Sequence, residues 1–114
     1  MAKVVQTDGE KREYMRLKRI YKSLPKNKLA VAEGLIRQAA RLRDRLDTLW
    51  QDILVNGETE MFSQSPNTEP YERERPASRT FTATDKSYQA IIRQLNELTP
   101  DAETKDALEE FFEV

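Results

Sequence analysis

The chain contains no cysteine and no histidine, and only three glycines. Without Cys there is no disulfide and no thiolate nucleophile. With both residue types missing, there is no zinc site built on sulfur or nitrogen and no imidazole to move protons at neutral pH. Gly9, Gly34 and Gly57 are too scattered for a phosphate loop of the Walker or GxGxxG kind. The carboxylates fall in no catalytic or Mg²⁺-binding pattern, so no catalytic residue, metal ligand or cofactor is expected, and the role expected is non-enzymatic. No apolar run approaches the roughly 18 residues of a membrane span. The opening "MAKVVQTDGEK" lacks the apolar centre of a signal peptide. A soluble, cytoplasmic protein with no membrane partner is expected.

What the chain has is charge and helix periodicity. Its 114 residues suit one domain. Only 38% are apolar and 34% are charged, against roughly 45–50% and about 25% in ordinary domains. Either much of the chain is solvated helix surface, or a partner subunit completes the core. The formal charge is −1, but it is unevenly spread. Residues 1–55 hold 13 basic and 7 acidic side chains, and residues 56–114 hold 6 and 13. Such asymmetry suits a half that faces a polyanion and a half that does not.

The cations concentrate in "EKREYMRLKRIYKSLPKNK", residues 10–28, where eight of nineteen side chains are Lys or Arg. A flexible stretch 1–8 is expected to lead into a first helix over 9–23, with Asp8 as its cap and Pro25 ending it. At 100° per residue Tyr14, Leu17, Ile20, Tyr21 and Leu24 share an arc of about 120°. Lys11, Arg12, Arg16, Lys18, Arg19 and Lys22 share a separate arc of about 160° opposite. Met15 falls among the cations, and Glu10 and Glu13 fall among the apolar positions. With Lys26 and Lys28, these six cations are the candidate phosphate contacts, since Lys and Arg on one face give salt-sensitive, sequence-independent affinity for DNA. Lys18, Arg19, Lys22, Lys26 and Lys28 have no acidic neighbour before Glu33. The plainer reading is an ordinary solvated helix face.

A long helix follows, "NKLAVAEGLIRQAARLRDRLDTLWQDILVNG", expected over 28–56 with Asn27 as cap and Asn56-Gly57 as a left-handed stop. Ala32, Leu35, Ala39, Leu42, Leu46, Leu49 and Ile53 alternate by threes and fours, a three-heptad seam widened by Leu29, Ile36, Trp50 and Leu54. The first helix is half as long and cannot cover it alone. The expectation is a helical hairpin with the rest of the seam closed by another copy, through Leu35, Leu42, Leu46, Leu49 and Ile53. Arg37, Arg41, Arg43 and Arg45 read as surface.

Periodicity lapses over 58–82, where three prolines and short polar residues suggest an extended, irregular segment. In "YERERPASRTF", Arg73, Arg75 and Arg79 lie between Tyr71 and Phe81. That mix can grip a strand, or the interleaved glutamates can cancel it. A third helix is expected from a Thr84 cap through Leu98, burying Tyr88, Ile91, Ile92, Leu95 and Leu98. An acidic C-terminal helix is expected over 99–114, with Thr99 capping and Pro100 in its first turn.

The expected fold class is thus all-α: a short basic helix, a long central helix, an extended loop and two shorter C-terminal helices, in an oligomer. Three pieces give this order a likeness: the long "KLAVAEGLIRQAARLRDRLDTLWQDILVNG" helix, the Gly turn and Arg-Pro element "VNGETEMF…ERPAS", and "KSYQAIIRQLNEL". Together they resemble the small subunit of phage terminases, over about residues 20–100. The resemblance implies a ring-forming helical protein that binds viral double-stranded DNA in the host cytoplasm. It would deliver that DNA to the terminase large subunit, which carries the ATPase and nuclease. Many members open with a helix-turn-helix domain; this chain has one short basic helix in its place. The alternatives are a helical oligomeric scaffold that binds only protein, a dimeric phage transcription regulator, and an RNA-binding protein.

Overall fold

The structure, a computed structural model, describes residues 6–99. In chain order these form α1 (Asp8–Ile20), α2 (Lys26–Asn56), β1 (Thr59–Phe62), β2 (Tyr71–Glu74) and α3 (Pro76–Glu97). Helix dominates, as the periodicity requires. The expected C-terminal helix lies outside the described residues.

The spine is α2, 31 residues and about 46 Å long at 1.5 Å per residue. Helix α1 runs antiparallel along its N-terminal half: Thr7 reaches Asp44, Glu10 reaches Arg41, and Tyr14 reaches Glu33. Helix α3 also runs antiparallel to it, with Ser78 at Glu58, Phe81 against Trp50, and Arg43 over the Tyr88 ring. The core forms where the three meet. Leu17, Tyr21 and Leu24 pack with Ala32, Ile36, Ala39 and Leu46, and with Tyr88, Ile92 and Leu95. Small Ala32, Ala39 and Ala40, all fully buried, let the neighbouring helices approach the spine closely.

Four boundary features differ from the sequence expectation, the first being that α1 ends at Ile20, three residues before Ser23. Helix α1 is capped by Thr7, not Asp8: the Thr7 hydroxyl oxygen accepts from the Glu10 backbone N–H at 3.0 Å and donates to Asp44 at 2.7 Å. The same hydroxyl thus ties Thr7 to α2. Gly9 lies so close to Asp44 that a methyl group there would clash with the carboxylate. Helix α2 starts directly after Pro25, with no side-chain cap from Asn27. Its stop, Gly57, does have a positive φ of 82°, but with ψ at 176° it is extended rather than left-handed helical.

The largest difference is in 58–82, expected to be irregular. It holds an antiparallel hairpin and the first turns of α3. Thr59 pairs with Glu74, Glu60 with Arg73, Met61 with Glu72 and Phe62 with Tyr71. On one face Arg73 pairs with Glu60 at 2.7 Å and stacks on Phe62, whose ring meets Tyr71 edge-on. The connecting loop turns at Pro66-Asn67, where the Thr68 N–H donates to the Ser65 carbonyl. Helix α3 begins at Pro76 in its first position, eight residues ahead of Thr84. Thr84 is buried within the helix rather than capping it.

Candidate nucleic-acid interface

An amphipathic α1 packed by its apolar stripe must turn its opposite face outward. Leu17, Tyr21 and Leu24 are buried, leaving Lys11, Arg12, Met15, Arg19 and Lys22 exposed, and Lys26 exposed at the start of α2. Four of the eight candidate cations, Lys11, Arg12, Arg16 and Arg19, line one concavity of about 590 Å³ between α1 and α2. Gly9, Glu13, Met15, Arg43 and Asp47 complete its walls.

Not every candidate joins it. Lys18 turns to the other edge of α1, where its ammonium lies 3.6 Å from Glu33 and over the Tyr14 ring. There Tyr14 donates a short hydrogen bond to Glu33, and Arg37 pairs with the same carboxylate at 3.0 Å. The Tyr14 bond, with Lys18 and Arg37, holds Glu33 below its ordinary pKa, and the same Tyr14 and Glu33 contacts hold Lys18 above its own. This cluster ties α1 to α2. Lys22 and Lys26 extend the exposed cations beyond the concavity, while Lys28 is half-buried.

Arg43, expected on the surface, is half-buried and lines the same concavity. It lies one heptad after Ile36 and one before Trp50, inside the seam, and that spacing was the available signal. Its guanidinium pairs with Asp47 at 2.8 Å and covers the Tyr88 ring. Burial works against its charge, and the Asp47 and Tyr88 contacts together more than restore it. On the concavity floor sits Glu13, a carboxylate only 7% exposed and 3.2 Å from the Arg16 guanidinium. Burial raises its pKa above the ordinary carboxylate value; Arg16 and Arg43 pull it down, and Asp47 adds to the rise. Nearby, burial pushes the Tyr21 hydroxyl up to about 12, and it has no hydrogen-bond partner among the described residues.

The arginines of 73–79 are cancelled within the chain. Arg73 pairs with Glu60, Arg75 with Asp52 at 3.1 Å, and Arg79 with Glu74 at 3.5 Å. Comparison with known protein families, curated proteins and solved structures finds no match. Among the described residues no cluster of carboxylates could hold a metal ion, and no helix is long and apolar enough to cross a membrane.

The seam divides in two. Leu46 and Ile53, expected to contact a neighbouring copy, are buried in the chain's own core. Leu35, Leu42 and Leu49, seven residues apart, stay half-buried along the edge of α2, and Val31 beside them is 58% exposed.

Proposed function

We propose that this chain is a non-enzymatic DNA-binding adaptor of the phage terminase small-subunit kind. Its α1 face lies on the duplex backbone, and several copies join along α2 to present viral DNA to a large ATPase and nuclease subunit in the host cytoplasm. The observation that carries the reading is the concavity in which Lys11, Arg12, Arg16, Arg19 and Arg43 converge against only two carboxylates. Phosphate contacts of this type position a duplex without reading its sequence. Lys22 and Lys26 continue the track, and the half-buried line of Leu35, Leu42 and Leu49 supplies a surface for a second copy.

The test is fluorescence anisotropy of a labelled duplex titrated across salt concentrations. Affinity should fall steeply with salt, with a log–log slope of roughly −0.9 per phosphate engaged. Replacing Lys11, Arg12 and Arg19 together by alanine should flatten that slope by about 3. A wild-type protein that leaves the duplex unbound at low ionic strength overturns the reading. The leucine line favours a second reading, a scaffold that assembles without nucleic acid, and that outcome would select it.

A further inference from the structure

We propose that Glu13 is a built-in competitor for the cations of this concavity, so that a DNA phosphate entering it drives a proton onto the Glu13 carboxylate. The inference rests on the DNA-binding reading and adds regulation to the same site. Three elements face Glu13. From α1 comes Arg16, from α2 come Arg43 and Asp47, and from α3 comes Tyr88. The carboxylate is 7% exposed, so water screens it poorly. Its charge is sustained by Arg16 and Arg43, two of the five cations that a phosphate would engage. Asp47 already repels it, and burial already disfavours its charged form.

A phosphate bound in the same concavity adds a further negative charge beside Asp47 and draws Arg16 and Arg43 toward itself. Both changes disfavour the Glu13 anion. The protonated acid removes the repulsion and offers an O–H to a phosphate oxygen. Proton uptake on binding means affinity rises as pH falls. The rise spans the interval from the carboxyl pKa of the complex down to that of the free protein, which itself lies above 4.5. For one proton the limit is a tenfold gain per pH unit.

The absence of histidine makes the measurement clean, because no other type of side chain has an ordinary pKa between 5 and 7. Duplex affinity is measured from pH 5 to 7 at fixed ionic strength for the wild type and Glu13→Gln. Wild-type affinity should climb several-fold toward pH 5. Glu13→Gln should bind more tightly at pH 7 and show a flat profile. Parallel profiles for the two proteins, or weaker binding by Glu13→Gln at every pH, overturn the inference while leaving DNA binding intact. No binding by the wild type at any pH overturns the functional reading as well. Should Glu13→Gln fail to fold, the ¹³C-carboxyl titration of wild-type Glu13 with and without duplex decides the matter. Its pKa must rise when DNA is present, and an unchanged value refutes the proposal.

Discussion

Two side chains show how single residues set local energetics. Glu13 sits among apolar positions on the α1 wheel, and it is buried there. Because its folded pKa is raised, the stability it contributes is complete below about pH 4.5, its unfolded value, and is lost as pH climbs through the raised value. At neutral pH the charged form therefore weakens the fold. Glu13→Gln should melt at a higher temperature than wild type at pH 7, with the difference vanishing near pH 4, as calorimetry can follow. Gly57 makes the opposite case. Its φ of 82° with ψ of 176° lies where only glycine is comfortable, so Gly57→Ala should cost about 1–3 kcal/mol in urea unfolding. The sequence made both positions visible: Glu13 by its place on the wheel, Gly57 by following Asn56. What it hid was Arg43, whose charge suggested surface while its heptad position placed it in the seam.

At the scale of elements, apolar periodicity located the cores of all three helices but set few of their ends. Thr7-Asp8-Gly9-Glu10 has the spacing of a capping box, Ser or Thr followed three residues later by Glu, and the nearer Asp8 obscured it. Helix α3 hid its first two turns because Ser78, Thr82 and Thr84 stand where apolar residues would reveal a helix. Ser78 donates to the Glu58 carbonyl across the fold, and Thr82 donates to the Ser78 carbonyl one turn back, so both hydroxyls are satisfied. The hairpin was illegible for a related reason: strands of four residues rich in glutamate carry little hydrophobic alternation. Its placement depends on Arg75, which donates to the Gly57 carbonyl and to both Asp52 oxygens, joining the end of α2 to the start of α3. Arg75→Ala should release the hairpin. Hydrogen exchange would report faster amides over 59–62 and 71–74, with those of α2 around Leu46 unchanged.

At the scale of the described residues as a whole the shape is extended, with a radius of gyration of 18.5 Å where a compact domain of this size has about 13 Å. An elongated body leaves apolar edges that a sphere would cover, and the line of Leu35, Leu42 and Leu49 is such an edge. Leu46→Ala, in the core, should cost about 2–5 kcal/mol in urea unfolding. Leu42→Ala should cost less, yet lower the molar mass seen by light scattering if copies join along this edge. Exposed cations line the outer face of α1, whereas Glu60 and Glu74 of the hairpin pair with Arg73 and Arg79. The antiparallel layout has a kinetic consequence. The main packing partners, α1 with α2, β1 with β2 and α2 with α3, are successive along the chain or separated only by the hairpin. Short loops therefore close before long ones, and little entropy is lost waiting for distant segments to meet. Stopped-flow refolding should be complete within milliseconds, faster than sheet-rich chains of the same length achieve.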